Sequence, residues 1–286
     1  MSQSWNIGTL HKPAIWYFYV ISNYCGVILC VLVVMLIICN VKRSASDIIV
    51  CGLLFACTCM SLNCGTQCVL NIHFDRFYGG TLACEIEAIA HVSSILTEFW
   101  CVMFLSVNMY CIVICKNEVS NKMAFLIVCG IVVISLAVTC LLGLVSPIYL
   151  VSAGTYCMYA FKSYAIAAWL VPSLLIAITV MIFCHVSVVK HLTKLLAYPT
   201  VDTHLNVTTL HDIWKAQLKW RSTLFIFAVI ACWGLTSVTC IYEFAVGRAT
   251  EELVTAVGVM GISFSWIAPL IFLFTSAYRK SLQCPA

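Results

Sequence analysis

Residues 123–146 read MAFLIVCGIVVISLAVTCLLGLVS, with no acidic or basic side chain anywhere in the run. A helix of about 20 apolar residues crosses the roughly 30 Å hydrocarbon core of a bilayer, and this stretch is long enough to do so. Six comparable runs flank it, at 16–39, 48–71, 84–114, 163–188, 222–246 and 252–275. The second is broken in its outer half by Asn63, Gln67 and Asn71, which are expected to face other helices, and the third is long enough to tilt. The whole chain is 63% hydrophobic and 9% charged, whereas soluble domains carry roughly 45–50% apolar and about 25% charged residues. The expectation is therefore an all-α membrane protein, a bundle of seven transmembrane helices forming one domain over 1–286.

The basic residues orient that bundle, because Lys and Arg accumulate in cytoplasmic loops. Eleven of the 15 fall on one face, at Lys42, Arg43, Lys116, Lys122, Lys190, Lys194, Lys215, Lys219, Arg221, Arg279 and Lys280. The opposite face holds Lys12, Arg76, Lys162 and Arg248. The N-terminus is thus expected outside and the C-terminus inside, in a multi-pass protein of the plasma membrane. Residues 1–13 lack a basic n-region and a small-residue cleavage site, so the first span is expected to act as its own insertion signal. The Asn206-Val207-Thr208 acceptor lies in an inner loop, out of reach of glycosylation.

Charge and cysteine usage exclude other classes. A net charge of +4 with scattered basic residues gives no nucleic-acid footprint. The 19 cysteines lie mostly inside apolar runs, where a thiol serves as a small hydrophobe, and no spacing suits zinc. Neither a cofactor nor a metal is expected. No lysine lies between 251 and 275, so a retinal Schiff base there is ruled out. A transporter would show inverted repeats or paired broken helices. A hydrolase would show a clustered acid, base and nucleophile, and the chain shows no such set on more than one helix.

Polar residues that remain in the spans are the candidate functional groups. Glu87, His91, Ser94 and Glu98 recur at four, three and four residues, which places them on one face of the third helix. Ionisable groups inside a membrane are rare and mark sites. His91 with Glu87 above it suits a pocket for a polar or cationic ligand. The bland alternative is a polar seam that holds helices together. Trp214, Lys215, Lys219, Trp220 and Arg221 form a basic, interfacial entry to the sixth span, where a cytoplasmic partner would dock or where side chains simply snorkel. Ser276–Leu282 is expected to form a short amphipathic helix after the seventh span, with Cys284 beside it as a lipidation candidate.

Several landmarks resemble the rhodopsin-like (class A) G-protein-coupled receptors. Cys84 stands at the outer start of the third span and Cys157 in the loop after the fourth, where that family carries a disulfide. Asn108-Met109-Tyr110 stands where the family has an acidic-Arg-Tyr triplet, and Ala268-Pro269-Leu270-Ile271-Phe272 where it has Asn/Asp-Pro-x-x-Tyr. Locally the chain is similar to the prostanoid branch, in Ile49-Val50-Cys51-Gly52-Leu53, Gly79-Gly80-Thr81-Leu82-Ala83-Cys84 and Gly154-Thr155-Tyr156-Cys157-Met158. The resemblance implies a receptor that passes an extracellular ligand's signal to a heterotrimeric G protein through Asn108, Met109, Tyr110, Lys215, Lys219 and Arg221. It implies that Trp233 is the pocket-floor aromatic, with plain core packing as the alternative. From their place near the outer end of the same span, Tyr242 and Glu243 are expected to rim the pocket, with interfacial anchoring as the alternative for Tyr242.

The departures from the family are equally specific. Met109 replaces the latch arginine and Asn108 its acidic partner, so no ionic latch forms. Cys57 replaces the sodium-binding Asp of the second helix, and Glu98 is expected to supply the missing carboxylate, as a cation site or as a protonated donor. Leu235 stands in place of the sixth-helix proline, Phe272 in place of the final tyrosine, and Val259 in place of the arginine that pairs a fatty-acid carboxylate. Two functions follow as expectations. Either the receptor signals, constitutively biased by the degenerate latch, or it is a receptor-derived protein, such as a virus-captured copy, that binds or retains partners without activating a G protein.

Overall fold

The computed structural model describes residues 13–39, 44–75, 81–117, 119–146, 148–150, 157–159, 164–197, 205–247 and 251–283. Over 13, 81, 148–150, 166–167, 195–197, 205–222, 251–252 and 275–283 it describes the backbone alone. Its helices are α1 (Pro13–Cys39), α2 (Ala45–Phe74), α3 (Thr81–Tyr110), α4 (Asn121–Val145), α5 (Tyr164–Ala197), α6 (Leu205–Val246) and α7 (Glu251–Gln283). A π turn, Cys111–Cys115, continues α3 at its inner end. Between α4 and α5 lie two short antiparallel strands, β1 (Ile148–Leu150) and β2 (Cys157–Tyr159).

All seven helices are long and apolar enough to cross a membrane, over Ala14–Cys39, Ala45–Phe74, Leu82–Cys115, Asn121–Val145, Ala168–Lys194, Thr223–Val246 and Leu253–Phe274. The seven expected runs match these in order, and the fifth begins and ends later than its apolar run suggests. The stretch between the fifth and sixth apolar runs is largely helical, because α5 runs on to Ala197 and α6 already starts at Leu205. Ser276–Leu282 is helical as expected and continues α7. Cys284 lies outside the described residues, as do the side chains of Asn206, Lys215, Lys219 and Arg221.

Local chemistry sets the helix starts on the inner face. Ser44 caps α2 by accepting the Asp47 N–H, and the Asp47 carboxylate accepts the Ser44 N–H in return, a reciprocal capping box. Ser120 caps α4 by accepting the Met123 N–H. Inside the bundle, the Thr97, Thr139, Thr239 and Ser263 hydroxyls each donate to the carbonyl one turn earlier, which satisfies them where water is scarce. Pro172 and Pro269 sit within α5 and α7 without ending either helix. Such prolines are tolerated in membrane helices, where neighbours re-satisfy the freed carbonyl.

Large apolar side chains point outward, with Leu144 81%, Phe227 73% and Phe274 71% exposed. In water that surface would aggregate, and in a bilayer it is the lipid-facing coat. Polar groups turn inward instead, and Asn71, Gln67 and Ser61 of α2 are all buried. Helix α3 lies at the centre, packed on α2, α4, α5 and α6 and on β2. Its polar face therefore falls inside the bundle.

Candidate functional site inside the helix bundle

The four polar residues of α3 share the inward face that their spacing requires. Glu87, His91, Ser94 and Glu98 are all buried. Near the outer end, Asn63 of α2 donates from Nδ2 to the Glu87 carbonyl at 3.2 Å. One turn deeper, the Cys64 Sγ of α2 lies 3.4 Å from His91 Nδ1. The Glu87 carboxyl faces the Cys157 backbone N–H, and neither of its oxygens closes a full hydrogen bond.

Glu98 sits deeper still, 1% exposed. The Cys57 thiol of α2 and the Trp233 indole N–H of α6 both face its carboxyl, again short of full hydrogen-bond geometry. Cys57 in turn faces Cys30 of α1, whose thiol donates to the Ser265 carbonyl of α7 at 3.2 Å. A polar thread thus runs through α3, α2, α1 and α7 at one level of the bundle. A bare carboxylate at that depth costs several kcal/mol.

Trp233 packs between Phe99 of α3 and Phe264 of α7, with ring centroids 5.9 Å and 6.5 Å away. Helix α7 comes close beside it, and a Cβ added at Gly261 would meet the indole at 3.1 Å. Above the ring lies a cavity of about 10 Å³, lined by His91, Trp233, Thr236, Met60, Gly261 and Met158 among others. Thr236 Oγ1 and Trp233 Nε1 are buried without a hydrogen-bond partner.

His91 and Trp233, two of the expected pocket residues, line this cavity, whereas Glu87, Ser94, Tyr242 and Glu243 do not. Tyr242 is 41% exposed on the outer face of α6, and Glu243 is buried. Adjacent residues on a helix point about 100° apart, which gives the two different surroundings. Met60, Met158, Thr236 and Gly261 were not singled out from the sequence. Thr236 lies three residues after Trp233 on the same face of α6, which was the one available signal.

Over the cavity, Cys157 is bonded to Cys84 at the start of α3, the pairing that the receptor resemblance implied. The neighbouring residues Met158 and Tyr159 are buried. The Tyr159 hydroxyl donates to the Thr139 carbonyl of α4 at 3.4 Å, and burial pushes its phenol up to about 12.

At the inner end, Asn108 and Met109 are both buried. Asn108 donates from Nδ2 to Ser46 Oγ of α2 at 3.0 Å, so this end of α3 is tied to α2. Tyr110 packs on Phe183 of α5 at 6.0 Å. The π turn follows, and Lys116 closes it in the left-handed region at φ 54°, donating its N–H to the Cys111 carbonyl. In α7, Ala268 and Phe272 are buried on either side of Pro269.

Compared with known proteins, the chain superposes on the crystal structure of squid rhodopsin with a TM-score of 0.80. The match covers 97% of this chain and 82% of that one, at 14% sequence identity. No protein-family model matches the chain, and no curated protein matches it. The likeness establishes a rhodopsin-like seven-helix fold, at low sequence identity.

Proposed function

We propose that this chain is a receptor of the G-protein-coupled type, set in the plasma membrane, which signals to a cytoplasmic G protein with no ionic latch to hold it off. One observation carries the proposal. At the inner end of α3 the buried Asn108 is bonded to Ser46 of α2, and Met109 beside it has no charge to offer α6. Outward swing of α6 would then break no ion pair at this position, so the resting and signalling states lie closer in energy. Asn108, Met109, Tyr110 and the basic entry at Lys215, Lys219 and Arg221 form the partner-facing surface in this proposal.

In the outer half, His91 and Trp233 belong to the pocket, with Glu87 and Ser94 supporting it from α3. Glu98 with Cys57 supplies the polar site that the resemblance places on the second helix. The prostanoid branch rests on three short fragments, and Val259 gives a fatty-acid carboxylate no partner, so a prostanoid is not the ligand we favour. Cys284 remains the candidate for an acyl anchor.

The alternative is a receptor-derived membrane protein that retains partners without signalling. The burial of Met109 favours it, because a side chain turned into the bundle is not presented to a G protein. Basal second-messenger levels in cells expressing the wild type and Met109→Arg separate the two. The expected result is a level above mock-transfected cells in the wild type that the substitution changes. Background readings from both proteins, at equal surface expression, would remove the signalling function.

A further inference from the structure

Three features of the outer half concern one side chain. Met158 lines the cavity above Trp233, facing His91 and Thr236, and it is 3% exposed. It is held there from both sides, by the Cys157–Cys84 disulfide before it and by the Tyr159 hydroxyl on the Thr139 carbonyl after it. The space left around it is about 10 Å³, and a cavity needs roughly 10–15 Å³ on this measure to hold one water.

We propose that the site is occupied by the chain itself: β2 delivers the Met158 thioether as a tethered ligand, and a diffusible molecule larger than water is excluded while it is in place. The chemistry suits the task. Methionine is unbranched and polarisable, fills irregular apolar space and makes favourable contacts with aromatic rings, and here it shares a cavity with Trp233. Tethering also removes most of the entropic cost that a free ligand of this size would meet on binding. This proposal deepens the receptor proposal above by naming the ligand of that site, yet the occupancy it describes can be measured without any signalling assay.

Substituting Met158→Ala deletes Cγ, Sδ and Cε and leaves a void with the shape of a small thioether. Dimethyl sulfide reproduces the deleted group, so it serves as the probe. With purified protein in lipid nanodiscs, saturating probe is expected to raise the melting temperature of Met158→Ala by roughly 5 °C. Wild type and the size-matched Met158→Leu are expected not to respond. Met158→Val removes less, gives a smaller shift of the same sign, and replaces the alanine variant should that variant not fold. No shift in any folded, truncated variant would overturn the proposal, and so would an equal shift in the wild type. In cells, the probe is expected to return the basal signal of Met158→Ala to the wild-type level from a change of about fivefold or more, the lower end of typical site-to-site coupling. A receptor silent in every form but carrying the probe-dependent melting shift would refute the signalling function alone. A signalling receptor without that shift would refute the tethered ligand alone.

Discussion

Alanine at Gly52 is a direct test of how closely α2 and α4 approach, a contact that seats the α2 side chains against the polar face of α3. A Cβ built at Gly52 would lie 2.4 Å from Val128 Cγ1, 3.3 Å from its Cγ2 and 3.5 Å from its Cβ. Carbon atoms in good contact sit about 3.5–4.0 Å apart, so the nearest pair is too close by roughly 1.1–1.6 Å. Valine in a helix has one strongly preferred rotamer, so Val128 cannot swing clear, and either α4 shifts or its side chain leaves the rotamer. Overpacking of this kind costs about 1–3 kcal/mol. From the middle of that range, about 2 kcal/mol, alanine's better helix propensity returns up to about 1 kcal/mol, leaving a net loss near 1–2 kcal/mol. At about 2–4 °C per kcal/mol for a chain of this size class, the melting temperature should fall by roughly 2–8 °C. A thiol-reactive dye reads this directly in detergent, because Cys57, Cys64 and Cys101 are buried until the bundle opens. Adding Val128→Ala should restore the loss. Alanine at Gly130 in α4, where a Cβ meets nothing within 4 Å, should cost nothing. Melting of Gly52→Ala at or above the wild-type temperature, or failure of the second substitution to rescue it, would refute the packing argument.

Further expectations concern the polar groups. In a double-mutant cycle, Ser46→Ala and Asn108→Leu should couple by about 0.6–1.7 kcal/mol, from the average to the maximum measured for hydrogen bonds between membrane helices, and zero coupling would show that the bond is not made. Sodium in place of potassium should raise the melting temperature of the wild type and leave Glu98→Gln unmoved. An equal response in both proteins would remove Glu98 as a cation site. Tyr159 gives the alkaline signature: its phenol is raised to about 12 in the folded chain, against about 10 in an unfolded one. Its stabilising contribution is whole below pH 10 and is lost as the pH climbs towards 12, because the unfolded chain sheds the proton first. Melting temperatures of the wild type should therefore drop more steeply over that window than those of Tyr159→Phe, and parallel curves would contradict the burial of the hydroxyl.

Seven spans, their order and the inward face of α3 were legible in the sequence, because hydrocarbon imposes length and polarity rules that each segment obeys by itself. A 3.6-residue period alone puts Glu87, His91, Ser94 and Glu98 on one side. Pairing of Cys84 with Cys157 came from the receptor resemblance, not from spacing. Tyr242 and Glu243, neighbours in sequence, differ in burial, one exposed and one enclosed, which a sequence window does not reveal.

What tertiary structure alone decided is which residues meet. Asn108 finds Ser46, 62 positions away, and Met158 comes to rest over Trp233 through a disulfide that joins residues 73 apart. Neither contact announces itself locally, because a serine at a helix start and a methionine in a loop give no sign of the residue each will meet. Hydrocarbon length and charge asymmetry act on one helix at a time, so the sequence by itself determined the bundle and set the expectation for its orientation. Contacts between helices depend on how all seven pack at once, and so only the folded chain shows which side chains line the cavity.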